Sequence, residues 1–447
     1  MYKRNIYKSL AEWKNDNFRR PLLIRGARQI GKTFVVEQFA KKEFSSSVTL
    51  NFERNPEYRD IFETFDPVEI IERISLYTGK SITAGTTLLF LDEIQDCPKA
   101  ITALRYFYEE MPELHVVGAG SLLEFSLQSS NFKMPVGRVQ YLYMYPLSFA
   151  EFLDAIGEKA LSKFIGIYSN MGNIPEGLHD KLIELTHKYF IVGGMPAVIN
   201  EYIRTRDIVK CRQVQTSIID TFIDDFAKYT RESKFPYLKT VFNSVPAMIG
   251  KKIIYARIDN NVKSRELKEA VELLETAGIL IKSKRTSGSG LPLKSGIKEN
   301  NYKLLFLDIG LFHSISGVYG EIIKEKDINI IFKGAVAEQF VGQEIICTQN
   351  PHSKSELYYW AREAKNSNAE IDYLIESSGA IIPIEVKSGP KGKLKSMIFF
   401  LKNYDLPQGV KISKAAFKNE SNILSLPFYA VASFLKTIDN TEQEAVS

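Results

Sequence analysis

The order of apolar and polar positions divides the chain into a strand-rich beginning, a helical middle and a mixed end. Pro21 to Arg25 (PLLIR) is a short apolar run of strand type. The GKTFVVEQFAKKEF that follows sets apolar residues at Phe34, Val35, Phe39 and Ala40, as an amphipathic helix would. Thr86 to Asp96 (TTLLFLDEIQD) is apolar until two acids interrupt it, which predicts a parallel strand buried on both faces. Leu114 to Gly118 (LHVVG) predicts another strand, leading into AGSLLEF. From Glu151 to about Tyr229 the pattern is mostly helical, and Gly193 to Pro196 (GGMP) marks a turn between helices.

Further along, Asn260-Asn261 predicts a turn and Ser264 a helix cap. RELKEAVELLETAG predicts a helix that Gly278 stops, and ILIKSKRTSGSG a strand entering a glycine-serine hairpin. Phe332 to Ile346 has helical spacing and carries Glu338, ELYYWAR reads as a strand, EIDYLIESSGAIIPIEVKSG as two strands about a turn, and MIFFLKNY as an apolar helix. These breaks predict four segments: 1–155, 156–230, 231–322 and 323–447.

Composition agrees with this division. A chain of 447 residues exceeds one ordinary core and suits about two to four domains. With 45% hydrophobic and 25% charged residues and a mean hydropathy of −0.14, it is of globular type throughout. No apolar run approaches a membrane span, and the basic start MYKRNIYKSL runs into AEWKNDNFRR rather than an apolar signal core. The expectation is a cytoplasmic protein with no membrane partner. Cys97, Cys211 and Cys347 are far apart and form no CxxC pair, and the five histidines are scattered, which excludes a disulfide framework or a zinc ribbon. The net charge of +5 is unevenly spread. Lys251 to Lys303 holds twelve Lys/Arg against six Asp/Glu, a local excess that suits an anionic partner such as DNA or RNA.

Gly26 to Thr33 reads GARQIGKT, a complete match to GxxxxGK(S/T) placed between strand and helix. Phosphate binding needs backbone N–H groups turned inward at a helix N-terminus, and glycine allows the backbone to come that close. Gly26, Ala27, Arg28, Gln29, Ile30, Gly31, Lys32 and Thr33 are therefore expected to cradle ATP, with Lys32 on the β- and γ-phosphates and Thr33 on Mg²⁺. Asp92, at the end of a buried strand, is expected in the Mg²⁺ shell, and Glu93 beside the attacking water. Ser121 is placed to sense the γ-phosphate, and Arg28 and Arg138 are candidate cations for transition-state charge. An exposed arginine is as readily a solvated surface residue.

The helix, strand and basic hairpin between Lys251 and Lys303 suggest a winged helix. Such a module suits a phosphate backbone, and suits a protein joint or ATPase lid equally well. The final strands carry a third set of candidates. If Ser378-Gly379 is a two-residue turn, residues whose numbers sum to 757 face each other. Asp372 then lies opposite Glu385, and Glu370 opposite Lys387. Opposed Cβ atoms stand about 4.5–5.5 Å apart, close enough for Asp372 and Glu385 to share a divalent ion. A solvated face with a Glu370-Lys387 ion pair fits the same pattern. Lys391, Lys393 and Lys395 follow, as a solvated run or as contacts to a nucleic-acid backbone.

GARQIGKT, LFLDEIQD, GSLLEF, GRVQYLYMYPLSFAEFL and YFIVGGMPAVI, in this order, resemble the prokaryotic AAA-type ATPases that carry a poorly characterised C-terminal domain. The resemblance implies an α/β protein: a P-loop NTPase core with a parallel sheet, a helical and winged-helix-like middle, and a C-terminal restriction-endonuclease-like α/β domain. It also implies a site that in some members is completed by a neighbouring subunit, hence a homo-oligomer. D…ExK after a helix with a glutamate resembles the PD-(D/E)XK nuclease superfamily. Asp372, Glu385 and Lys387 match its core motif and Glu338 its helix glutamate. Ile371 stands where proline is usual, and Pro383 within the second strand predicts an edge position or a bulge. Two functions follow as expectations: an ATP-hydrolysing protein that acts on nucleic acid, or a nucleotide switch whose C-terminal domain only binds a partner.

Overall fold

The computed structural model describes residues 3–128, 135, 137–167, 172, 174–317, 334–362, 369–377, 379–387 and 394–446. After helix α1 (Ile6–Asn15), strands β1 (Leu22–Arg25), β2 (Ser46–Asn51), β3 (Thr87–Asp92), β4 (His115–Ala119) and β5 (Gln140–Tyr143) form a sheet ordered β2-β3-β4-β1-β5. All its pairs are parallel. β3 and β4 are buried along their whole length, as uninterrupted apolar runs require. Successive side chains go to opposite faces. Leu22 and Ile24 enter a core with helix α2 (Lys32–Glu43), while Leu23 enters another beneath α3 (Pro67–Thr78) and α4 (Pro98–Glu110). A short helix α5 (Leu123–Gln128) follows β4.

The middle is helical, as expected: α6 (Phe149–Ile156), α7 (Lys159–Ile165), α8 (Glu176–Val192), α9 (Pro196–Thr205), α10 (Ile208–Tyr229), α11 (Phe235–Ser244) and α12 (Ser264–Thr276). Ser264 is the first helical residue of α12. The cap position falls on Lys263, with no side-chain bond, so the predicted serine cap is one residue out. The GGMP turn joins α8 to α9 and is more than a helix stop. A Cβ on Gly194 would lie 2.2 Å from the Leu147 carbonyl oxygen, so only glycine fits there.

Strands β6 (Leu280–Thr286) and β7 (Ile297–Phe306) make the predicted hairpin, and helix α13 (Ile309–Ser316) follows. After α14 (Gly334–Thr348) come β8 (Leu357–Ala361), β9 (Glu370–Ser377), β10 (Ala380–Val386), α15 (Lys395–Tyr404), β11 (Gly409–Ser413), β12 (Lys418–Glu420), β13 (Ile423–Pro427) and α16 (Val431–Val446). The hairpin does not stand apart as the wing of a separate module. β6 pairs with β8, and the two regions share one eight-stranded sheet, β12-β13-β11-β10-β9-β8-β6-β7. A boundary at 322/323 therefore does not separate two sheets. The cause is long-range pairing, which local periodicity does not record.

The 757 register is the observed one, from Ser377 opposite Ala380 to Tyr373 opposite Ile384. Pro383 needs no bulge and sits where β10 is locally an edge. Its pairing with Leu374 is regular, and β11 meets β10 only from Ile384 onward, so no ladder partner is denied an N–H at Pro383.

Buried polar groups lock these parts together. Asp308, fully buried, caps α13 by accepting from Leu311 N (3.0 Å) and also accepts from Gly194 N of the GGMP turn (2.6 Å). Gln343 of α14 donates to Asp308 (3.3 Å) and to the Tyr189 hydroxyl (2.8 Å), and Tyr189 donates to the Leu147 carbonyl. Glu344, one residue on, accepts from Phe149 N (2.8 Å), and burial pushes its carboxyl up to about 8. α14 thus bonds directly to the start of α6 and, through Asp308, to the α8-α9 turn.

Candidate active site

The P-loop wraps the N-terminus of α2. Gly26 has φ +143° and Gly31 φ +90°, and a Cβ on Gly26 would meet the Met144 carbonyl oxygen at 2.2 Å. Arg4 braces the loop from behind, donating to the Ile30 carbonyl (3.1 Å) and to Glu151 (3.0 Å). Lys32 is buried, and its Nζ donates to the carbonyls of Gly26 (2.9 Å) and Ala27 (2.8 Å) at the centre of the loop. Burial pulls its pKa down to about 8, against the opposing pull of Glu93 and Asp92.

Asp92 ends β3, 3.0 Å from the Thr33 hydroxyl. It also accepts from Asn51 Nδ2 (2.9 Å) at the end of β2. Burial raises its pKa, Glu93 adds to the rise, and the bonds from Thr33 and Asn51 oppose it. Glu93 follows with φ +48°, a conformation costly for a residue with a side chain, which turns it out of the strand line. Its Oε2 accepts from Gln95 Nε2 (2.8 Å) and from Ser121 N and Oγ (3.3 Å each). Lys32, Thr33, Asp92, Glu93 and Ser121 therefore meet at the carboxyl ends of β1, β3 and β4, where ligands of open α/β sheets bind. The residues fit a nucleotide with its cation: a glycine cradle shaped by φ, a buried ammonium, and two hard oxygen ligands side by side.

Asn51, Gln95 and Arg4 escaped sequence reading, as did Asp225. Arg28, expected to face transition-state charge, is instead held by Asp225 of α10, with its Nη1 2.6 Å from both carboxylate oxygens. Glu53 lies 3.6 Å from its Nη2. Arg138 also needs correction. It precedes β5, whose Gln140 pairs with the first residue of β1, and it bonds Glu109 (2.8 Å) at the far end of α4. That is the edge of the sheet opposite the P-loop, so Arg138 cannot serve the site of its own chain. Two further contacts cover the loop. A Cβ on Gly278, in the turn before β6, would lie 3.3 Å from Ala27, and one on Gly31 would lie 3.4 Å from Pro196.

In the second sheet the structure brings Glu338, Asp372, Glu385 and Lys387 together, with two changes to the expected pairing. Lys387 bonds Glu385 (2.5 Å), while Glu370 bonds Lys303 of β7 (2.5 Å), a residue sequence reading placed only in a basic stretch. Asp372 accepts from Val386 N (2.8 Å). Burial, then Asp372, pushes Glu385 up to about 7, with Lys387 opposing. Burial, then Asp372, also raises Glu338 well above the usual range. Among the described residues no three His, Cys, Asp or Glu side chains are arranged to hold a metal ion. The acids expected to form a carboxylate metal site face cations of the chain instead, Lys303 at 3.8 Å from Asp372 and Lys387 at 2.5 Å from Glu385. Lys391 and Lys393 lie outside the described residues, and Lys395 is an exposed first residue of α15.

The first sheet and its loop have the arrangement of a P-loop nucleotide-binding core. In agreement, residues 18–153 match the sequence model of an AAA domain. Residues 183–321 match a domain of unknown function, DUF8612, and residues 333–429 another, DUF4143. An uncharacterized protein of Haemophilus influenzae is 24% identical over 346 residues, which span 73% of this chain and 76% of that one. Among solved structures, a Walker-type ATPase of Pyrococcus abyssi aligns with 71% of this chain and 96% of its own, at 14% identity and a TM-score of 0.45. The Aeropyrum pernix ORC1 protein in complex with DNA aligns with 72% and 94%, at 13% identity and a TM-score of 0.29. No helix among the described residues is long and apolar enough to cross a membrane.

Proposed function

We propose that the chain is a nucleotide switch that hydrolyses ATP with Mg²⁺ and signals its nucleotide state through α10. Thr33 and Asp92 would hold the ion, which neutralises charge on the β- and γ-phosphates. Lys32 stabilises the same oxygens from within the loop. The described bonds to Glu93 all fall on Oε2, which leaves Oε1 to orient a water and accept its proton. One observation carries the switch reading. Arg28, inside the phosphate loop, is clamped by Asp225 of a helix that the sequence places 197 residues away. Phosphates arriving in the loop compete with Asp225 for the guanidinium, so the pair responds to what the loop holds.

Action on nucleic acid has weaker support. Of the twelve Lys/Arg in the basic stretch, Lys282 pairs with Glu275, Lys284 and Lys294 share Glu356, and Lys303 pairs with Glu370, so these four are engaged within the chain. A cytoplasmic setting fits a protein that consumes ATP.

Amide hydrogen exchange tests the switch. Protection across Ile208–Tyr229 is expected to differ between a non-hydrolysable ATP analogue and ADP in the wild type, and to lose that difference in Asp225→Asn. Equal protection in both nucleotide states of the wild type would contradict α10 as the reader.

A further inference from the structure

The carboxylate cluster of the second sheet already contains a cation. Lys303 Nζ lies 2.5 Å from Glu370, 3.4 Å from Glu338 and 3.8 Å from Asp372, with its side chain only 3% exposed. Each of these carboxylates comes from an element other than the lysine's own, β9 or α14 against β7. Burial alone lowers the pKa of an ammonium, but here Glu338, Asp372 and Glu370 outweigh it and raise the pKa, so the side chain stays charged. Access is restricted as well. Gly250 packs so closely that a Cβ there would lie 2.9 Å from Glu338 Oε2, and Lys252 bridges the backbone of Lys303.

On the other flank Lys387 bonds Glu385, leaving Glu385 Oε2 as a buried oxygen without a partner. Burial and the neighbouring Asp372 raise its pKa, which lowers the cost of that missing bond.

We propose that Lys303 is a tethered counter-ion that stands in place of a divalent metal, so that the cluster fastens the β6-β7 hairpin to the C-terminal strands and is not a metal centre. A divalent ion among these carboxylates would sit beside the buried Lys303 ammonium, and the two positive charges would repel. A divalent ion would have to displace a buried ammonium from three carboxylates, whereas an uncharged side chain at 303 leaves those carboxylates in need of a cation. The resemblance to metal-dependent nucleases thus extends to the acidic residues but not to their counter-ion.

Mn²⁺ binding to the nucleotide-free full chain, followed by electron paramagnetic resonance, tests this. Wild type and Asp372→Asn are expected to bind the same number of Mn²⁺ ions. Lys303→Met is expected to gain a site about tenfold or more tighter than any that wild type shows. That site is expected to vanish in Lys303→Met/Asp372→Asn and to be absent in Lys303→Arg, which keeps the charge. A wild-type site lost in Asp372→Asn would overturn the proposal, and so would a folded Lys303→Met protein with no gain. If Lys303→Met does not fold, the comparison of wild type with Asp372→Asn still decides.

Discussion

Glu93→Gln is expected to leave ATP binding near wild type and to slow turnover on the order of 100-fold or more. The substitution is nearly isosteric, so the left-handed backbone at Glu93 and the bonds to its Oε2 position have a close substitute. What disappears is the carboxylate proposed to accept a proton from water, while Lys32, Thr33 and Asp92 keep their contacts. Ser121 and Gln95 hold one oxygen only, so the side chain is fixed while the proposed proton acceptor, its other oxygen, has no bond from them. Nucleotide affinity by titration and phosphate release under saturating ATP separate the two effects. Unchanged phosphate release would remove Glu93 from the mechanism, and a matching loss of affinity would make its role one of binding.

The second large effect concerns the junction rather than the chemistry. Asp308→Ala is expected to destabilise the protein by about 3 kcal/mol, combining a lost helix cap with a buried N–H left without a partner. The cap belongs to α13 and the orphaned donor to Gly194. Gln343 loses one acceptor but keeps Tyr189. Burial already pushes Asp308 up to about 6, so the site holds an ionised carboxylate at neutral pH only because these donors converge on it. A lowered urea midpoint for the transition that includes the helical middle is the measurement. A shift below about 0.5 kcal/mol, the range of an ordinary surface change, would mean that Asp308 does not hold the junction.

The first sheet was legible because its signals are local. An apolar strand, a glycine loop and a helix occupy consecutive residues from Pro21 to Phe44, and the acids that end β3 follow an unbroken apolar run. The β9-β10 register was legible for the same reason, since a two-residue turn at a known place fixes every pair beyond it. Contacts made across the chain were not. Nothing near Asp225 marks it as the partner of Arg28, and Lys303 looked like one basic residue among twelve until β7 joined the sheet that carries Glu370 and Asp372. Arg138 misled for a related reason. Its sequence lies close to aromatic strand residues, but the direction of β5 puts it at the end of the sheet away from the P-loop.

GARQIGKT is proposed to form a hydrolytic ATP site, and the most direct measurement of it is phosphate release by the purified chain with ATP and Mg²⁺, wild type beside Lys32→Ala. Lys32 is the buried ammonium at the centre of the loop, and no other described side chain bonds the Gly26 and Ala27 carbonyls there. Wild type is expected to release phosphate, and Lys32→Ala to lose that activity on the order of 100-fold together with ATP binding. Equal rates in the two proteins would contradict the account.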